Sequence, residues 1–279
     1  MSAYKSFAVA GAGMLGIQVV NALAAKNVTV IVLSRPGSSA KTVPAGVQVV
    51  TVNFADSEAI AKALKEHNVD VVISTVTTTA SFEEQKPLLD GAKAGGIKLF
   101  VPAEFGMPTE GHTQGPLGVK YEVAKYLKTL GIPSTRIYTG AFTQFLGGMV
   151  KDGKALIVGK GETPVSVTSV PDIAGYIAHI VTTQPPSVLE NVILRIEGER
   201  VTMKEVAAQF GATPVYVDKM PGEHGEFLTG LMRIMDMGAG STGWLHDQKK
   251  EGTGNEAAGS GNALWPGHHW QTLKEVHNL

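Results

Sequence analysis

The chain has 279 residues, 43% hydrophobic and 18% charged, enough to bury a sizeable core in one large domain or one domain with a smaller companion. Its 24 Lys plus Arg against 25 Asp plus Glu leave a net charge of -1 with the basic residues dispersed, which excludes global steering toward nucleic acid or anionic membrane. The absence of cysteine excludes disulfides, thiolate catalysis and cysteine metal sites; no apolar run reaches membrane-spanning length, no signal peptide precedes the first strand, and the cytoplasm is the default location.

The first strand pattern, at 6–10, runs into Gly11-Ala12-Gly13-Met14-Leu15-Gly16 and then an Ala-rich helical pattern at 15–25. Strand, glycine turn and helix in this order predict a dinucleotide site. Gly11 permits the tight turn, Gly13 lets the backbone approach a pyrophosphate, and Gly16 lets helix and strand pack closely, with Met14 and Leu15 adding amides at the helix start. A second strand at 28–33 ends in Ser34-Arg35-Pro36-Gly37-Ser38-Ser39, followed by Lys41. An NAD site usually carries a carboxylate there to accept from the ribose hydroxyls; this chain offers a guanidinium, hydroxyls and a second cation. Ser34, Arg35 and Lys41 therefore point to NADP(H).

Further strands are predicted at 47–52, 70–74, 98–102 and 134–138, alternating with helices at 57–67, 82–94 and 117–130. That rhythm implies an α/β fold, a Rossmann-type doubly wound parallel sheet, with ligands beyond the carboxyl ends of the strands. Thr75 and Val76 fall at such an end and join the expected cofactor site. After Gly147 the rhythm loosens into strands at 155–158, 165–168, 192–196 and 214–217 and helices at 172–182 and 202–210, read as a smaller substrate lobe. The expected division is 1–150 as the NADP(H)-binding domain and 151–279 as the lobe. Within the lobe, 238–261 carries seven glycines in 24 residues and reads as a mobile loop, and 265–279 as an amphipathic helix.

Three stretches, Asp70-Val71-Val72-Ile73-Ser74-Thr75, Lys98-Leu99-Phe100-Val101-Pro102-Ala103-Glu104-Phe105-Gly106, and Gly131-Ile132-Pro133-Ser134-Thr135 followed by Gly140-Ala141-Phe142, resemble the NmrA-like group of atypical short-chain dehydrogenases. Within that group the chain is most similar to the isoflavone reductase and phenylcoumaran benzylic ether reductase branch. The resemblance covers about the first 220 residues. It implies NADPH-dependent reduction of phenylpropanoid-derived compounds, an active-site lysine at Lys120, and Phe105 against the nicotinamide. The chain departs from the branch in Gly11-Ala12-Gly13, where Gly-x-Thr-Gly is common, and in Ala103, where serine is usual.

Short-chain dehydrogenases generally place tyrosine and lysine four apart on one helix face, so that the cation lowers the phenol pKa and holds the nicotinamide ribose. Tyr121 and Lys125 match that spacing. Lys120, however, lies near the helix start that faces the carboxyl edge of the sheet, whereas Lys125 lies more than a turn deeper. Pro116 stands four residues before Lys120, so no tyrosine precedes it. Lys120 is the preferred proton-handling residue and ribose anchor, with Tyr121 and Lys125 as the competing pair. Glu104 reads as a cap or turn partner, or as the holder of a water.

Phe142, Phe145 and Met149 are the candidate substrate-pocket residues, with Met220, Phe227, Leu231, Met232 and Met235 as further apolar wall or plain helix core. The histidines lack metal-ligand spacing, His268 and His269 read as surface residues, no metal is expected, and no G-x-S-x-G elbow supports acyl transfer. Two readings follow. One is an NADPH-dependent reductase of a small, largely apolar, aromatic substrate, acting as a monomer or homodimer; the other is an NADP(H)-binding redox-sensing regulator without turnover.

Overall fold

A computed structural model describes residues 4–38, 42–77 and 80–279. The chain groups into two compact units: one holds the residues up to Glu104, Gly111–Ile137 and Ile173–Ile193, the other Phe105–Glu110, Tyr138–Asp172 and Leu194–Leu279. A single cut at 150 differs from this grouping, which puts 138–150 with the second unit and 173–193 with the first.

In chain order the first elements are β1 (Ser6–Ala10), α1 (Met14–Ala24), β2 (Thr29–Ser34), β3 (Gln48–Thr51), α2 (Ser57–Glu66), β4 (Val71–Ser74), α3 (Phe82–Gly95), β5 (Leu99–Val101), α4 (Gly115–Leu130) and β6 (Thr135–Tyr138). Strands β1 to β5 pair in the order β3-β2-β1-β4-β5, every pairing parallel. β1, β4 and β5 are buried along their whole length, as strands covered on both faces must be, which is why they read as unbroken apolar runs. Ile60, Leu64, Leu88 and Leu89 from α2 and α3 meet Ala8, Ile31, Val72 and Phe100 of the sheet in one core. Each large side chain buried there contributes about 2 kcal/mol of transfer free energy.

Local chemistry sets the helix ends. The Asp56 carboxylate accepts from the Ala59 amide at 2.9 Å, and Ser81 with Glu84 forms a reciprocal capping box on α3. α3 and α4 stop at Gly96 and Gly131, both left-handed. The strand order reverses between β1 and β4, so the carboxyl ends of these two strands form the switch point where ligands of doubly wound sheets bind.

Beyond β6 come β7 (Ala141–Phe142), α5 (Thr143–Leu146), β8 (Val150–Lys151), β9 (Lys154–Ile157), β10 (Val165–Thr168), α6 (Val170–Thr183), α7 (Pro186–Leu189), β11 (Val192–Arg195), β12 (Glu199–Val201), α8 (Met203–Gln209), β13 (Thr213–Tyr216), α9 (Gly225–Ile234), β14 (Trp244–Leu245), β15 (Lys250–Glu251) and α10 (Leu273–His277). In the second unit β10 lies between β12 and β7, and β9 between β13 and β8.

Three expectations fail in the second unit. The stretch 238–261 is packed and hydrogen-bonded rather than open. The Thr242 amide donates to Ser166 Oγ at 2.9 Å, the Ser166 amide to the Gly240 carbonyl at 3.1 Å, and Arg200 donates to both Ser241 Oγ and Glu251 at 2.6 Å. Asn262 brackets the backbone of Glu197, accepting from its N–H at 3.1 Å and donating to its carbonyl at 2.8 Å. The helix expected over 265–279 shrinks to α10, capped by Thr272 with Glu275. His268 is no surface residue: its Nε2 lies 2.8 Å from the buried Asp172 carboxylate, which also accepts from Ser169 Oγ and the Gln271 amide, and its ring stacks on Trp265 at 3.5 Å. The stretch read as the start of that helix is here a ring stack beside a buried carboxylate. His269, by contrast, is exposed and meets Glu275.

Candidate functional site

The fingerprint turn is built around Gly11, whose φ of +95° admits glycine at little cost and whose amide donates to the Leu33 carbonyl at 3.0 Å. Gly16 is needed for close approach: a Cβ there would stand 2.3 Å from the Gly11 carbonyl oxygen and 2.5 Å from Thr75 Oγ1. Gly13 is the opposite case. Nothing lies within 4 Å of where its Cβ would be, and it caps α1 with no side chain bonded to the first-turn amides. An open helix N-terminus with exposed Gly13 and Met14 fits a pyrophosphate, which the positive dipole end and the amides favour. Leu15 is buried, so only its backbone is placed for that role.

Thr75 does a different job from the one expected of a cofactor contact. Its hydroxyl reaches the carbonyls of Gly11 at 3.0 Å and Ala10 at 3.2 Å, which ties the end of β4 to the turn. Val76 packs on the core of the first unit. At the end of β2, Arg35 is exposed in a short turn closed by Ser38, whose amide and hydroxyl donate to the Arg35 carbonyl at 3.2 and 2.9 Å; Ser34 and Ser38 hydroxyls lie 2.5 Å apart. Lys41 and Ser39 lie outside the described residues.

Lys120, on the second turn of α4, is partly buried, and its Nζ donates to the Glu104 carbonyl at 2.5 Å. Burial pushes its pKa below the ordinary lysine range, and the Glu104 carboxylate opposes that shift. Glu104 is neither helix cap nor solvated turn residue. It is fully buried, and its carboxylate accepts from Arg136 Nε on β6 at 2.7 Å. Arg136 is a residue that sequence reasoning missed. The signal was an arginine inside the apolar strand Thr135-Arg136-Ile137-Tyr138, since a buried guanidinium requires a buried partner.

Tyr121 and Lys125 do share a helix face, but as a cation over a ring: Lys125 Nζ stands 5.1 Å from the ring centroid and Arg136 Cζ 5.9 Å. The exposed Lys125 thus contacts the apolar body of the tyrosine.

The remaining expected residues belong to the second unit. Phe105 is buried there at 8% exposure. Phe142 and Phe145 stack in parallel at 5.9 Å, with Phe145 61% exposed, while Met149 packs on Val158, Met220 and Met232. Among the described residues no three His, Asp or Glu side chains are placed to hold a metal, and no helix is long and apolar enough to cross a membrane.

Comparison with known proteins gives a consistent picture. Isoflavone reductase homolog P3 of Arabidopsis thaliana is 26% identical over 72% of this chain and 72% of its own. The fold matches that of a solved isoflavone reductase with a TM-score of 0.80 at 20% identity, covering 99% of each chain. It also matches the leucoanthocyanidin reductase–NADPH complex from Vitis vinifera with a TM-score of 0.75 at 22% identity, covering 98% of each. The model of the NmrA-like family matches residues 5–219, and the chain belongs to that family.

Proposed function

We propose that this protein is an NADPH-dependent reductase of a small, largely apolar, aromatic compound of phenylpropanoid type. The observation that carries the reading is the Lys120 ammonium, held on a backbone carbonyl with its pKa lowered by burial, in the same compact unit as an uncapped fingerprint helix. An amine with a lowered pKa gives up its proton more readily than an ordinary lysine, the direction that general acid–base chemistry asks for. The likeness to reductases, one of them solved with NADPH, supports the same reading.

In this reading the amides of Gly13, Met14 and Leu15 hold the pyrophosphate and Arg35, with Ser34, holds the ribose phosphate. Bound NADPH supplies the hydride that an electron-poor carbon of the substrate accepts. Lys120 gives or relays the balancing proton.

The test follows NADPH absorbance with isoflavonoids, lignans, quinones and enals. Oxidation with at least one, with kcat at saturating NADPH lost by about 100-fold or more in Lys120→Ala, is the expected result. Tight NADPH binding with no oxidation in any arm overturns the enzyme in favour of a redox-sensing regulator. Loss of turnover in Lys125→Ala but not in Lys120→Ala moves the proton chemistry to the Tyr121 pair.

A further inference from the structure

We infer that Glu104 and Arg136 act together as a positioning device for the Lys120 amine, the buried side-chain pair locking the very residue whose carbonyl takes the ammonium. This rests on the reading of Lys120 as the proton-handling group.

Glu104 makes two kinds of contact in opposite directions along its own length. Its carbonyl accepts from Lys120 Nζ at 2.5 Å, and its carboxylate, fully buried, accepts from Arg136 Nε at 2.7 Å. Its own amide donates to the Pro102 carbonyl at 2.7 Å, so the residue is tethered at backbone and side chain alike just past β5. Arg136 comes from a different strand, β6, and its guanidinium also stands over the Tyr121 ring, the next residue of α4 after Lys120. One arginine therefore ties the loop that receives the amine to the helix that carries it.

A buried ion pair is a poor device for stability, because desolvating both ions offsets most of their attraction; what it does well is to fix geometry. The Glu104 carboxylate, just past β5, is the charge that acts on the amine; Arg136 on β6 pairs with that carboxylate and, with Lys125 on α4, stands over the ring of Tyr121, the neighbour of Lys120. The Glu104 carboxylate favours the protonated amine, while Arg136 tempers that carboxylate. The pair thus sets both where the amine sits and how readily it gives up its proton.

The experiment uses the full chain and needs no substrate. Acetic anhydride labels amines only in their neutral form, so the pH dependence of labelling at Lys120, read by mass spectrometry of its peptide, reports that amine alone, with exposed Lys125 on the same helix as reference. Glu104→Gln is expected to move the Lys120 midpoint down by about one pH unit and Arg136→Met to move it up, with Lys125 unmoved. Simple loosening of the fold would instead move Lys120 up toward the ordinary lysine value in both variants, and that result overturns the proposal, as does an unchanged profile. The double variant Glu104→Gln with Arg136→Met, which removes both members of the buried ion pair, is expected to recover most of the thermal midpoint lost in the single variants while NADPH oxidation by an acceptor from the panel above stays at least about 10-fold low in kcat. Full recovery of kcat in that variant also overturns the proposal. Failure of Lys120→Ala to affect turnover would sink the catalytic reading alone, and the labelling shifts would still decide whether the pair positions the amine.

Discussion

Two glycine-rich stretches of this chain look alike on paper and are opposite in space. In 11–16 the glycines surround an opening: Gly16 is pressed against the Gly11 carbonyl while Gly13 faces a region with no atom within 4 Å. In 238–261 Gly238, Gly240, Gly243 and Gly252 are where other groups already stand. A Cβ on Gly238 would meet the Trp244 ring at 2.5 Å, and one on Gly240 would meet Val165 at 2.5 Å. What separates a ligand cradle from a packed strap is therefore which atoms fill the space a side chain would take. Glycine content alone does not report it.

Substitutions that fill these spaces test the contrast. Gly16→Val brings a branched side chain against backbone that cannot retreat, and is expected to lower stability by about 3 kcal/mol and NADPH affinity by about 100-fold, read by denaturant unfolding and cofactor fluorescence. In Gly238→Ala the added methyl meets an indole at a φ of +107°, so a loss of about 2 kcal/mol is expected with NADPH affinity unchanged. A parallel loss of cofactor binding would erase the distinction between the stretches. Gly13→Ala should do the reverse, keeping stability within about 0.5 kcal/mol while NADPH binding weakens about 10-fold. An alanine there that leaves binding intact would show that the open space is not used by the cofactor.

The smallest effect concerns the carboxylate that holds Ser166 and Arg200, two anchors of the second stretch. Burial pushes the Glu197 pKa up, against the lowering effects of the Ser166 hydroxyl and Arg200. A raised folded pKa means that the folded chain binds this proton more tightly than the unfolded one. The stability it contributes is full below about pH 4.5 and is lost as pH rises through the raised value. Glu197→Gln should accordingly be more stable than wild type at neutral pH, with the difference closing on acidification. Equal curves for the two proteins across that range would show that the group does not titrate differently on folding.

The contrast also explains what a reader of the sequence can and cannot see. The fingerprint was legible because its chemistry is local: a strand, a positive-φ glycine and a helix start lie within a few residues of one another. Strand and helix bounds of the first unit fell within about two residues of the pattern for the same reason. The place of Lys120 near the start of α4 was legible from the helix pattern. The lysine's partner contacts were not, since Glu104 and Arg136 are brought together by the register of two strands, 32 residues apart. The anchoring of 238–261 through Ser166 and Glu197, and the seating of His268 on Asp172, are likewise long-range, across 76 and 96 residues. Periodicity carries no information about such pairings. It misled at the start of 265–279, where Trp265, His268 and Trp270 form a ring cluster rather than a helix.

The interleaving of the two units has a bearing on how the protein is made. Because α6 and α7 supply 173–193 to the unit that begins at the amino terminus, that unit lacks part of itself until residue 193 has left the ribosome. A nascent chain halted near residue 150 would carry the whole parallel sheet with Leu189 and Tyr176, both wholly shielded in the mature protein, still unsynthesised. Synthesis order and spatial order are thus decoupled, and a gene fragment cut at 150 is not a self-sufficient piece.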